Sequence, residues 1–174
     1  MDYNTSSEIL SWHYESDLNF IGLLNLINDN KIEIKVRNLM NSGGMATFYD
    51  IYLDMTKLRF LDYDIRFFII CHEIAHYKKI KRDGKEYHLN KLSINDIAKL
   101  YEHILDEEIF ADKYAYILFK SLNKGKVFSY EKTQRLNEYE NRIKFIKTAN
   151  YLLGKIDNNE ENYKNLIQQF IFND

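Results

Sequence analysis

The chain has 174 residues, 24 of them basic and 26 acidic, and a formal net charge of −2 leaves no overall field that would favour nucleic acid. That length suits one domain, residues 1–174, with a core of its own. The single cysteine, Cys71, rules out an intrachain disulfide and fits a reducing compartment. No run approaches the roughly 20 apolar residues of a membrane span, and "MDYNTSSEIL" lacks the basic-then-apolar order of a signal peptide, so a soluble cytoplasmic protein is expected.

Helical signals open the chain. Thr5 and Glu8 have capping-box spacing ahead of Ile9, Leu10 and Trp12; Ser16 or Asp17 can cap a second piece carrying Leu18, Ile21, Leu24 and Leu26. Residues 1–29 are therefore expected to be helical, in two pieces. In "KIEIKVRNL", Ile32, Ile34 and Val36 alternate with charged neighbours, and "SGGMATFYDIYLDM" adds a glycine turn and more extended sequence. Two or three antiparallel strands between Lys31 and Met55 are predicted.

The rest reads as helix. One should run from Asp62 or Asp64 to Arg82, with acids at its start, Lys78, Lys79, Lys81 and Arg82 at its close and Gly84 beyond, an order that suits the helix dipole and a glycine cap. "SIND" from Ser93 opens a long helix ending before Gly125, Ser129 caps another that stops near Gly154, and Asp157 with Glu160 marks a terminal one. Helix, small sheet, then helices is an α+β order. The last two helices carry apolar stripes that either close the core or dock a partner, with core the simpler reading.

Within the first long helix, "CHEIAHYKK" places His72 and His76 four residues apart, on one helix face, so two imidazoles can converge on one zinc ion. Glu73, between them in sequence, projects beside that point and is placed to take a proton from water. Histidines that are only satisfied polar groups are the plainer alternative, but flanks this apolar demand buried partners for them. A hydrolytic zinc site needs a third protein ligand and an open position. "YEHILDEEIFADKYA" on the next helix offers Glu108 as that ligand, with Asp112 one turn on to hold the non-ligating nitrogen of His72. Ala111 and Ala115 permit close helix approach, while Glu102, Asp106 and Glu107 read as solvated. Cys71 points away and reads as a small buried hydrophobe.

"CHEIAHYKK" followed about thirty residues later by "EEIFADKYAYILF" resembles the gluzincin-type zinc peptidases with an E-x-x-x-D second motif, and most closely the ImmA/IrrE family of bacterial and phage metallopeptidases. The similarity spans roughly Asp17 to Phe119 and includes the short sheet before the motif helix. It implies a mostly helical zincin-like fold, one Zn2+ per chain on His72, His76 and Glu108, Glu73 as general base and Asp112 behind the ligands. It also implies a cytoplasmic site of action and a protein or peptide substrate, for some members a helix-turn-helix repressor of a phage or mobile element. The chain departs from the family where "AYILFK" lacks the proline of an "LLMP"-like end, and no second domain is expected after it.

Donors to a developing oxyanion are open among Tyr77, His88, His103 and Tyr114; His103 lies about 140° round the helix from Glu108 and so faces elsewhere. Thr47 to Met55 is expected to present a sheet edge on which a peptide substrate pairs as a strand. A binding module that keeps the fold without cleaving anything is the alternative function. A structural zinc is disfavoured because no fourth ligand is evident.

Overall fold

The computed structural model describes residues 18–39, 42–84, 94–123 and 132–152. It is an α+β protein, mostly helical, with a small sheet ahead of the long helices. α1 (Leu18–Asp29) leads into β1 (Glu33–Val36), β2 (Gly44–Ala46) and β3 (Asp50–Leu53), followed by the single turn α2 (Met55–Leu58) and by α3 (Tyr63–Asp83), α4 (Ile94–Leu122) and α5 (Lys132–Leu152). The caps expected at Thr5, Ser16 or Asp17, Ser93, Ser129 and Asp157, and the terminal helix, lie outside the described residues. No helix among the described residues is long and apolar enough to cross a membrane.

Two compact units divide the chain. One comprises Met1–Glu86 with Tyr114–Phe128, the other Tyr87–Lys113 with Ser129–Asp174, so α4 contributes to both. In the first, Leu23 and Ile27 of α1, Ile34, Ile51 and Leu53 of the strands, Phe67, Phe68, Ile70 and Ile74 of α3, and Phe119 of α4 form one apolar cluster. Each such side chain stabilises the fold by about 1.5–3 kcal/mol when fully buried. α1 ends at Asp29; two residues on, Lys31 has a left-handed φ of 53°, and Ile32 N–H donates back to Ile27 O at 3.0 Å, turning the chain into β1. In the second unit the buried residues include Leu100, Leu105 and Ile109 of α4 and Tyr139, Ile143 and Ile146 of α5. Tyr139, Ile143 and Ile146 of α5 are thus core residues, whereas Phe145 and Tyr151 of the same helix are exposed.

The sheet order is β1-β3-β2, and it is mixed: β2 pairs antiparallel with β3, whereas β1 pairs parallel with it, Ile34 opposite Ile51. The expectation of an antiparallel sheet is therefore corrected at β1. A tight turn joins β2 to β3, with Thr47 Oγ1 accepting from Asp50 N–H at 3.1 Å; the connection of residues 37–49 thus takes the chain from β1 to β2 on the far side of β3 and back, which leaves β1 and β3 parallel. Ile32 and Ile34 are buried as the alternation predicts, but Val36, at the end of β1, is 48% exposed. The segment Thr47–Met55, expected to supply a sheet edge, instead supplies the central strand; the edges are β1 and β2.

α3 begins and ends where its charges and glycine place it. Asp64 lies in its first turn, Lys81 and Arg82 in its last, and Gly84, at φ 63°, donates its N–H to Ile80 O at 2.9 Å. The approach to α3 is set by Asp54, which is almost wholly buried. Its carboxylate accepts from Thr56 N–H at 3.1 Å, from Thr56 Oγ1 at 2.5 Å and from Leu39 N–H at 2.9 Å, and lies 3.3 Å from Lys57 Nζ. The Thr56 hydroxyl first, then the Leu39 N–H, draws the Asp54 carboxyl down from 3.8 to about 2. A depressed folded pKa means this contribution is full above the unfolded pKa and is lost as pH falls from 3.8 towards about 2. Asp54→Asn is expected to melt lower than wild type at pH 7 and to show a shallower loss of stability through that acid window. Thermal melts at stepped pH measure this, and an acid limb as steep as wild type would count against it.

Candidate metal centre

α3 is a core helix with polar groups in its middle. Ile70, Cys71, Ile74 and Ala75 are at most 1% exposed, yet His72 (5%) and Glu73 (7%) lie among them. Polar groups so placed need partners, since leaving one unsatisfied costs about 1–3 kcal/mol. The i, i+4 spacing supplies the first: His72 Nε2 and His76 Nε2 are 3.0 Å apart, with their rings near perpendicular at 79°. Two nitrogens each about 2.0–2.1 Å from a tetrahedral ion stand about 3.3 Å apart, so the pair is already close to the separation a shared ion requires. His72, His76 and Glu108 of α4 each offer one ligand atom, and those atoms all lie within 4.8 Å of one another, a set that could hold a metal ion. The Phe68 ring, 6.5 Å from that of His72 and 4.7 Å from that of Tyr116, supplies apolar surroundings.

Glu73 turns toward β2. A Cβ built on Gly44 would stand 2.5 Å from Glu73 Cγ and 2.7 Å from Oε1, closer than atoms can pack, so the carboxylate lies where only glycine leaves room. At the preceding Gly43 a Cβ would meet Leu58 Cδ2 at a merely tight 3.1 Å. Of the two glycines, Gly44 is the one whose missing side chain admits Glu73.

Asp112, with no exposed surface, is held from α5. Tyr139 donates its hydroxyl to Asp112 Oδ2 in a short hydrogen bond, and Arg135 Nε lies 3.6 Å from the same oxygen. Arg135 Nη1 is 3.9 Å from Glu108 Oε2 and 3.3 Å from Glu138 Oε2. Burial opposes the Arg135 charge, but Asp112 and then Tyr139, Glu108 and Glu138 outweigh it and hold the guanidinium protonated. Burial, reinforced by Asp112, pushes the Tyr139 hydroxyl up, so it remains a neutral donor. Sequence reasoning did not single out Arg135 and Tyr139. Their four-residue spacing, in line with Ile143 and Ile146, was the available signal: a cation on an otherwise apolar stripe.

The remaining candidates are dispersed. Tyr77 is built into the apolar cluster of the first unit. Tyr114 Oη accepts from Lys78 Nζ at 2.9 Å, with the ammonium 5.4 Å from its ring centre. His103 Nε2 lies 3.0 Å from Glu107 Oε1, which accounts for one of the acids expected to be solvated; Asp106 is exposed. His88 lies outside the described residues. Cys71 is fully buried, and burial pushes its thiol up, as suits an inert hydrophobe.

Gly44→Ala is expected to destabilise the chain by about 1–3 kcal/mol, the range for overpacking a tight site. Glu73→Ala in the same chain should recover most of that loss, so a urea double-mutant cycle would report strong coupling. Additive losses would mean that Glu73 does not fill the space over Gly44. No protein-family model, curated protein or solved structure matches the chain.

Proposed function

We propose that the chain is a zinc metalloendopeptidase, akin to the ImmA/IrrE metallopeptidases, that cuts a cytoplasmic regulatory protein such as a helix-turn-helix repressor. The observation that carries this reading is the convergence of His72, His76 and Glu108, with Glu73 adjacent on α3. Two imidazoles and a carboxylate are the donor set of a hydrolytic zinc site rather than a structural one, because three protein ligands leave a position open. Zinc bound there supplies Lewis acidity toward a peptide carbonyl and lowers the pKa of water toward roughly 7.

The chain's own groups divide the remaining work. His72 and His76 would hold the ion through imidazole nitrogens and Glu108 through a carboxylate oxygen. Glu73 accepts a proton from the attacking water and returns it to the amine nitrogen as the C–N bond breaks. Its burial against Gly44 restricts the carboxylate to one place, so little reorganisation is needed at the moment of reaction. β2, which pairs only with β3 among the described residues, offers an edge along which peptide backbone can pair. A reducing cytoplasm suits a chain whose one cysteine is buried and unpaired.

Elemental analysis of the purified chain is expected to find about one zinc per molecule, with retention weakened at least tenfold in Glu108→Ala. Glu73→Gln should keep the metal and lose cleavage of a co-expressed helix-turn-helix repressor. No metal after zinc is offered at neutral pH would overturn the hydrolytic reading. An undiminished biological effect in Glu73→Gln would favour the capture of a partner without cleavage.

A further inference from the structure

α5 lies outside both motif segments, yet two of its side chains reach the carboxylates of α4. Tyr139, 1% exposed, donates to the fully buried Asp112, and its hydroxyl lies 3.5 Å from the backbone oxygen of Glu108. Arg135 brings its guanidinium to 3.6 Å from Asp112 and 3.9 Å from Glu108. Its Nε is buried with no hydrogen-bond partner among the described residues, and the Asp112 carboxylate is the acceptor in front of it. Arg135, Glu138 and Tyr139 stand three and four residues apart, so one face of α5 carries the whole set.

We infer that Arg135 and Tyr139 are positioning residues of the metal centre, fixing Asp112 and Glu108 along α4 so that the Glu108 carboxylate is aimed before any ion arrives. The inference rests on the zinc reading above. Two effects compete at Arg135. A cation beside a ligand repels the ion, so by Coulomb's law alone its removal would tighten binding. A ligand aimed by a neighbour loses affinity, typically about 10–100-fold, when the neighbour is removed. Aiming outweighs repulsion here because Asp112, Glu108 and Glu138 already surround the guanidinium with negative charge. The planar fork, rather than the charge by itself, is the property that matters, since it faces more than one carboxylate at once.

The test is a zinc titration of the metal-stripped full chain against a chromophoric chelator, for wild type, Arg135→Lys, Arg135→Ala and Tyr139→Phe. Circular dichroism confirms native helix content in each. Affinity is expected to fall about 10–100-fold in Arg135→Ala and Arg135→Lys and about tenfold in Tyr139→Phe. The visible spectrum of the cobalt-loaded chain should change in the same three variants, which a merely structural role would not produce. Affinity equal to or tighter than wild type in Arg135→Ala and Tyr139→Phe would overturn the inference while leaving the zinc reading intact. Full affinity in Arg135→Lys would overturn it in favour of charge alone. A wild type that binds no zinc would overturn the zinc reading and this inference together. Should Arg135→Ala fail to fold, because it strands the buried Asp112 carboxylate, the near-isosteric Tyr139→Phe decides.

Discussion

Everything about the candidate site follows from the burial of His72 and Glu73 in the middle of α3. A helix flanked by Phe67, Phe68, Ile70 and Ile74 gains most of its stability from apolar contact, and each polar group inserted into it lowers that gain unless a partner is supplied. The partners are specific. His72 meets His76 through Nε2, and Glu73 meets the bare backbone of Gly44. A core helix that needed only to be buried would carry leucine at all three positions, so retaining the polar set implies work for it beyond packing.

The same economy governs the carboxylates of α4. Asp112 has no exposed surface, so its carboxylate depends on partners within the fold. A guanidinium and a phenol from α5 supply them, Arg135 Nε standing 3.6 Å from Asp112 Oδ2 and Tyr139 donating its hydroxyl to the same oxygen. Because a charged group is strongly oriented by such partners, the direction of Asp112 is settled by α5 as much as by the backbone of α4. Glu108, one turn earlier and beside the same guanidinium, shares that orientation.

How much of this the sequence declared depends on the range of the physics involved. The limits of α3 were legible because they are local: Asp64 at one end, Lys81 and Arg82 at the other, and Gly84 supplying the left-handed turn. The convergence of His72 and His76 was legible for the same reason, being a consequence of helical pitch within five residues. Ile32 and Ile34 announced a strand, but not that β1 would run parallel to β3, since parallel pairing depends on where the connection of residues 37–49 delivers the chain. Thr47–Met55 was legible as extended sequence, yet its central place in the sheet is a property of the other two strands. Arg135 and Tyr139 were the least visible, because their meaning depends on carboxylates more than twenty residues away and on no motif of their own.

One long-range dependence remains, and it joins the sheet to the general base. Gly43 and Gly44 are needed where a Cβ would be crowded, but two adjacent glycines leave a short edge strand entropically weak, each by roughly 0.5–1 kcal/mol relative to alanine. The compensation comes from the residues that follow β3, beside the glycines at the open end of the hairpin. Asp54 N–H donates to Gly43 O at 2.9 Å, its carboxylate takes the Leu39 N–H, and Lys57, paired with that carboxylate, donates to the carbonyls of Leu39 and Ser42. Three backbone groups before the glycine pair are thus held by one ion pair, and a fourth, the carbonyl of Gly43, by the backbone N–H of Asp54. Asp54 and Lys57 carry no chemistry themselves, but the space that Glu73 occupies exists only while they keep Gly44 in place.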